Sequence, residues 1–148
     1  FPKASGRITH LDFAVDSSAL RVTSEAWELL FVSTLDGSQV TTPSSVKDVT
    51  WATHSCVFTW AAQGIWDFAR SDEYFHTLAK ANALELLVSG NNRGEVRVYN
   101  APCLSKRTEQ HVLTGHSMNV SGAAFTSDDA RLVTIGVSDK SLFVWRVC

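Results

Sequence analysis

The chain repeats part of itself at an offset of 46 residues, and this repetition limits the fold more than any other feature. The segment LLVSGNNRGEVRVY (86–99) aligns with LVTIGVSDKSLFVW (132–145) without a gap. The alignment places Tyr99 on Trp145 and keeps small and apolar positions in step. A period of about 40–45 residues with several short strands per unit is typical of radially repeated β-sheets. A β-sandwich gives no reason for such a period.

Short β-strands are predicted along the whole chain. Segments rich in β-branched and aromatic residues alternate with turn-forming residues, at a spacing typical of all-β folds. Three of these strands are predicted between 46 and 69. The pattern predicts an all-β propeller with four approximate blades, 8–42, 46–70, 73–100 and 109–147. Because propellers usually close with four to eight blades, we expect a partial ring that is a fragment of a larger propeller. The remaining blades of that propeller are then expected to be one of its binding partners.

The last predicted unit resembles a WD40 repeat. Gly115-His116 precedes its strands and the unit ends on FVWR (143–146), close to the Gly-His opening and Trp-Asp ending of that family. The final Asp is replaced by Arg146. The resemblance implies a WD40-type β-propeller.

The same resemblance implies a structural hydrogen-bond network of His116, Asp139 and Trp145, joined by a hydroxyl from a strand. Ile135 occupies the position where that hydroxyl is expected, and Thr134 should face the other side of the strand. We therefore expect an incomplete network.

Motifs further upstream resemble the echinoderm microtubule-associated-protein-like family. They lie in ITHLDFAVDSSALRVTS (8–24), DVTWATHSCVFTWAAQGIWDF (48–68) and YNAPC (99–103), in the order and spacing of that family. The resemblance implies a non-enzymatic scaffold in the cytoplasm and on the cytoskeleton that binds tubulin or microtubule-associated partners. It extends the expected location to the cilium or axoneme. The alternative is a general WD40 adaptor in a signalling, trafficking or ubiquitin-ligase complex without affinity for tubulin.

The charge pattern gives one candidate interaction patch, formed by Arg93, Arg97, Lys106 and Arg107. One interpretation is that these cations meet an acidic protein surface, and the alternative is that they are ordinary solvated loop charges. The 13 basic and 15 acidic residues nearly cancel, which disfavours nucleic acid as a partner. No apolar run approaches the roughly 18–20 residues of a membrane span.

Neither a catalytic site nor a metal site is predicted, and no cofactor is expected. His116, Asp139 and Ser141 resemble a hydrolase triad in composition, but the WD40 resemblance assigns them to structure. Cys103, His111 and His116 lack the short paired spacing and the fourth ligand of a structural zinc site. His54 and Cys56 alternate on a predicted strand and should line a blade.

Four tryptophans in the first half, Trp27, Trp51, Trp60 and Trp66, are predicted to fill the core rather than an exposed recognition surface, because of their large apolar area. Recognition is instead expected from the loops at 33–38, 71–73, 100–108 and 126–130.

Overall fold

The computed structural model describes residues 4–66, 72–106 and 108–148. It divides into two compact units, Phe1–Thr59 and Trp60–Cys148. The strands are β1 (Ile8–Phe13), β2 (Ala19–Ser24), β3 (Leu29–Ser33), β4 (Phe75–Lys80), β5 (Leu86–Asn91), β6 (Glu95–Asn100), β7 (Gln110–Thr114), β8 (Val120–Phe125), β9 (Arg131–Gly136) and β10 (Leu142–Arg146). Two short 3-10 helices are η1 (Pro43–Val46) and η2 (Trp60–Ala62). The all-β prediction is confirmed.

The first unit contains one antiparallel sheet in the order β1-β2-β3. The turn after β1 is closed by Asp16, whose carboxylate accepts hydrogen bonds from the amide and hydroxyl of Ser18 at 3.0 and 2.7 Å. Aspartate favours such turns because its short side chain reaches the backbone two residues on. The core of this sheet is formed by Ala14, Ala19, Phe31 and Val46.

The predicted strands between 46 and 69 are not found in the part of this segment that the structure describes, 46–66. The chain instead runs beside β1, where the Val15 amide donates to the Thr50 carbonyl at 2.9 Å and the Ala52 amide donates to the Phe13 carbonyl at 2.8 Å. Only an isolated bridge, Ala14 with Trp51, interrupts the irregular backbone before η2. The predicted strand positions 67–69 lie outside the described residues.

The second unit contains two antiparallel sheets, β4-β5-β6-β7 and β8-β9-β10. They pack on each other mainly through β4, β5 and β8. Val88, Val96, Val120 and Leu132 form the buried centre of this contact. Along β9 and β10, better buried residues alternate with more exposed ones, so each of these strands sends one face into the core. In contrast, β5 is buried along almost its whole length.

All three sheets share one backbone irregularity at the start of their first strand. Each first strand carries one extra residue near its beginning, and the pairing shifts there, as in a β-bulge. The shift occurs between Ile8–Ser24 and His10–Thr23, between Phe75–Asn91 and Thr77–Gly90, and between Val120–Gly136 and Gly122–Ile135. The three sheets therefore repeat one backbone plan.

The sheets and the predicted sequence units are offset by one strand. The predicted blade 109–147 includes the strand β7, but β7 pairs with β6, from Glu95–Thr114 to Tyr99–Gln110. β7 is therefore the outer strand of the preceding sheet. The described residues show three sheets, so the division of the chain into four blades stays a prediction. None of the described helices has the length and apolar character needed to span a membrane.

Candidate protein-interaction site

The loop before β8 holds His116, and the structure brings it together with the two other residues of the implied network. His116 Nδ1 lies 3.0 Å from the Asp139 carboxylate, and Nε2 lies 2.9 Å from the Thr134 hydroxyl. The Trp145 indole N–H donates to the same hydroxyl at 2.9 Å. Because an indole N–H can only donate, the Thr134 hydroxyl is placed to give its own proton to Nε2, which leaves Nδ1–H to donate to Asp139.

The expectation that this network lacks its strand hydroxyl is wrong. Thr134 is fully buried and faces His116, whereas Ile135 is exposed. The strand pairing explains the error. Thr134 pairs with Phe143 as Ser89 pairs with Arg97, so Thr134 corresponds to Ser89 at an offset of 45 residues, whereas Phe143 corresponds to Arg97 at an offset of 46. The offset increases by one because the β9–β10 hairpin is one residue longer than the β5–β6 hairpin.

The Asp139 carboxylate ties the β9–β10 hairpin to the loop before β8. It accepts hydrogen bonds from the amides of Ser117 and Ser141 at 2.9 and 3.1 Å. The Ser141 hydroxyl, these amides and His116 hold the pKa of Asp139 well below its usual range, against the opposing effect of burial. A side chain on Gly136 would clash with Asp139 and lie 2.6 Å from His116 Nδ1. Glycine is therefore required for the close approach.

The neighbouring sheet holds its hairpin with a different set of side chains, which no motif in the sequence indicates. The Arg97 guanidinium lies 2.5 Å from Glu73 and 2.6 Å from Glu95. The Asn91 side-chain amide lies 2.9 and 3.0 Å from the same two carboxylates. The Arg97 and Glu73 side chains are only 12% and 3% exposed. Burial alone would raise the pKa of Glu95, but hydrogen bonds from Arg97 and Asn91 have the larger combined effect, so the pKa lies below its usual value.

The candidate basic patch is not brought together as a set of free cations. Arg93 forms an ion pair with Asp72, and the Arg97 charge is neutralised by the carboxylates just described. Lys106 is exposed and lines a cleft of about 150 Å³ that also contains Arg97. Arg107 lies outside the described residues. Because ion pairing removes most of the attraction that two of the cations would exert, the patch as an interaction surface stays a prediction with less support.

A buried carboxylate organises the first unit. Asp12 is inaccessible to solvent and lies 2.9 Å from Arg21 Nε. It also accepts hydrogen bonds from the Thr53 hydroxyl at 2.5 Å, the Ser55 amide at 2.8 Å and the Cys56 amide at 3.0 Å. Burial raises the pKa of Asp12, but these hydrogen bonds and the Arg21 charge together lower it far below its usual range. Residues 53–56 are thus fixed by a side chain instead of a partner strand.

The thiol and imidazole near this carboxylate are not arranged for chemistry. Cys56 is fully buried, and burial together with the negative charge of Asp12 raises its pKa to about 12. A thiol with such a pKa is not a nucleophile at neutral pH. Arg21 stacks over Trp51 at 4.4 Å and lies 3.4 Å from His54 Nδ1. The segment is therefore a structural anchor.

The predicted core tryptophans divide into two groups. The prediction is confirmed for Trp66, which is buried against Phe75, and Trp51 packs partly buried on the core of the first unit. It is wrong for Trp27 and Trp60, which are exposed. Trp27 lies in the β2–β3 turn with a positive φ of 63°.

One of the loops expected to recognise partners has a structural role. In the turn at 126–130, the carboxylate of Asp129 accepts hydrogen bonds from the amides of Asn82, Ala83 and Leu84 at 2.9, 2.7 and 3.1 Å. These amide bonds hold the pKa of Asp129 well below its usual range. The contact joins the β4–β5 turn to the β8–β9 turn and so links the two sheets of the second unit.

Comparison with known proteins places these features in a family. The family model described as the echinoderm microtubule-associated protein second beta-propeller matches residues 1–147. Echinoderm microtubule-associated protein-like 2 of Rattus norvegicus is 35% identical over 98% of this chain and 23% of its own length. Echinoderm microtubule-associated protein-like 1 of Mus musculus is 31% identical over 98% of this chain and 18% of its own length. The chain thus spans about a fifth of these relatives.

Among solved structures, the crystal structure of the RRP9 WD40 repeats matches with a TM-score of 0.50 and 20% sequence identity. The match covers 99% of this chain and 37% of that chain. At this identity the likeness concerns the fold alone. The predicted fold, part of a WD40-type β-propeller, is confirmed.

Proposed function

The chain belongs to the echinoderm microtubule-associated protein family, as part of its second β-propeller, and on that premise we propose that it is a non-enzymatic interaction module of a microtubule-associated protein. The loops that its sheets hold in place bind tubulin or microtubule-associated proteins, and the protein acts on the cytoskeleton. The observation that carries this proposal is the family match over residues 1–147. The names of the relatives do not mention cilia, so a ciliary or axonemal site stays a prediction.

The arrangement of side chains around His116 supports a scaffold over a hydrolase. In a catalytic triad the imidazole lies between the nucleophile and the carboxylate, which contact opposite ring nitrogens. Here the Ser141 hydroxyl and the Asp139 carboxylate both lie near Nδ1, at 3.2 and 3.0 Å. Nε2 is occupied by the buried Thr134 hydroxyl. This geometry offers no path for a proton from Ser141 through the ring to Asp139.

The proposal also has support in how the loops are held. Carboxylates at Asp12, Asp129 and Asp139 each accept several hydrogen bonds from backbone amides. Loops fixed in this way lose little conformational entropy when a partner binds. Rigid loops of this kind suit recognition of a large, regular partner such as a polymer of tubulin.

Co-sedimentation with polymerised microtubules tests the proposed function. We expect the intact protein to move from the supernatant to the pellet as the tubulin concentration rises, and to saturate. A parallel sample spun without microtubules controls for aggregation. A supernatant fraction that stays unchanged at saturating tubulin would contradict the proposal. Tubulin-free complexes recovered with the same protein would then favour the adaptor alternative.

A further inference from the structure

An open cleft of about 530 Å³ lies beside the β1–β2 turn of the first unit. It is at the end of the sheet opposite the β2–β3 turn. Its volume is in the range of about 300–1,000 Å³ that ligand-binding clefts have. We call it the turn cleft, and it is lined by two valines, two aspartates and two residues with hydroxyls, Val15, Asp16, Ser45, Asp48, Val49 and Thr50.

Backbone hydrogen bonds and core packing fix both walls of the turn cleft. In the β1–β2 turn, the Ser17 amide donates to the Ala14 carbonyl at 2.9 Å. The Val15 amide donates to the Thr50 carbonyl at 2.9 Å and so joins this turn to the second wall. Val46, at the end of η1, is buried in the core with Ala14 and anchors the second wall. A cleft that is formed before binding needs little ordering when a partner enters it.

The apolar part of the turn cleft is accessible to a partner. Val15 is 62% exposed although its backbone is bonded. Val49 is half-buried and packs against the core of the first unit. Single exposed apolar residues are ordinary on a protein surface. The two valines therefore indicate a binding site only together with the carboxylates beside them.

The two aspartates of the turn cleft keep carboxylate oxygens that no described residue occupies. The Ser18 hydroxyl and amide both donate to Asp16 Oδ1, whereas Oδ2 receives no hydrogen bond from the described residues. The two bonds from Ser18 orient the carboxylate and hold the pKa of Asp16 below its usual value. The exposed Asp48 carboxylate forms no hydrogen bond or ion pair with any residue that the structure describes, and its neighbour Lys47 pairs with neither aspartate. The cleft therefore presents two negative charges without a cation.

We propose that the turn cleft binds a lysine or arginine side chain from a basic segment of a partner protein. These side chains combine an aliphatic stem with a charged head. The stem packs on Val15 and Val49. The head lies between Asp16 Oδ2 and the Asp48 carboxylate. An acidic or wholly apolar segment would cover both carboxylates without supplying a cation, which is unfavourable. A divalent metal ion is a poor occupant, because the described residues contain no group of three or more His, Cys, Asp or Glu side chains that could hold one.

Selection from a random peptide display library, run in parallel on the intact protein and on its Asp16→Asn/Asp48→Asn variant, tests this inference. Peptides that bind elsewhere are enriched on both proteins and are set aside. Peptides enriched only on the unaltered protein should carry Lys or Arg beside apolar residues. The double variant should bind such a synthetic peptide about tenfold more weakly, since two partly exposed ion pairs are lost. Asparagine can still accept the hydrogen bonds from Ser18, so the turn is kept.

Asp36→Asn is the matched control. Asp36 accepts hydrogen bonds from the amide and hydroxyl of Ser38 at 3.1 and 2.8 Å, as Asp16 does from Ser18, but it does not line the turn cleft. This variant should enrich the same peptides as the unaltered protein and bind them with the same affinity. Replacing the basic residue of the synthetic peptide by norleucine, which keeps an aliphatic stem, should weaken binding as much as the double variant does.

Three results would overturn the inference. They are an absence of peptides specific to the unaltered protein, specific peptides that lack a basic residue, and an equal loss of binding in the Asp36→Asn control. Circular dichroism shows whether each variant is folded. Asp48→Asn alone removes no hydrogen bond between described residues and keeps the test valid if the double variant unfolds. Neither tubulin nor microtubules are present in the assay, so failure here is separate from failure of the proposed function.

Discussion

The two sheets of the second unit solve one structural problem with different chemistry. Each must fix its central hairpin to the segment that enters the first strand. The β8–β10 sheet uses an imidazole, a hydroxyl and an indole with one carboxylate, Asp139. The β4–β7 sheet uses an arginine between two carboxylates, Glu73 and Glu95. The shared bulge and the matched strand pairs show that the backbone plan is kept while the side chains that hold it are exchanged.

The largest expected effect concerns the charged network of the β4–β7 sheet. Arg97→Met should lower the free energy of unfolding by about 3–5 kcal/mol, because it leaves the buried Glu73 carboxylate without its cation. Urea denaturation measures the change. The matched control is Arg93→Met on the exposed pair with Asp72, which should cost less than about 1 kcal/mol. Equal effects of the two variants would show that the buried network does not hold the hairpin.

A smaller effect is expected from the hydroxyl that joins His116 to Trp145. Thr134→Val keeps the shape of the side chain but removes the hydroxyl that bonds both His116 Nε2 and Trp145 Nε1. It should lower the free energy of unfolding by about 1–3 kcal/mol. The same urea titration applies. Adding Ile135→Thr to this variant restores a hydroxyl where the sequence alignment put it. It should not recover the loss, because residue 135 faces away from the network. Recovery would mean that residue 135, and not residue 134, faces His116.

The smallest expected effect is a dependence of stability on pH that comes from Asp139 in the network of the β8–β10 sheet. Because the folded-state pKa of Asp139 is depressed, its contribution to stability is present above the ordinary value of 3.8 and is lost as pH falls through the folded-state pKa. The stability difference between the protein and Asp139→Asn should therefore be fully present near neutral pH and shrink below about pH 4. Thermal melts across this range measure it. A difference that grows on acidification would contradict the assignment.

The sequence repeat and the WD40 motif predict most of the second unit. The period is visible because both sheets keep apolar residues at paired positions, such as Leu87 with Tyr99 and Leu132 with Trp145. The residues His116, Asp139 and Trp145 are visible because they follow a known motif. Thr134 was misplaced because one extra hairpin residue cannot be located without strand pairing.

Other features leave no comparable signal in the sequence. The segment 46–66 has the composition of strands, but its amides at Ser55 and Cys56 bond to a side chain, Asp12, and composition does not reveal the acceptor. The Glu73–Arg97 pair joins residues that are far apart in sequence and belong to no motif. For the same reason the arginines resembled a free basic patch, since ion pairing depends on which carboxylates the fold brings near.

The attachment of residues 53–56 to Asp12 has an evolutionary consequence. A strand ladder tolerates gradual change, because each backbone bond is independent of the side chains beside it. Here the single carboxylate of Asp12 accepts hydrogen bonds from four residues, Arg21, Thr53, Ser55 and Cys56. Loss of Asp12 would remove all of these bonds in one step, so we expect Asp12 and Thr53 to vary together among members of the family, as residues in contact do.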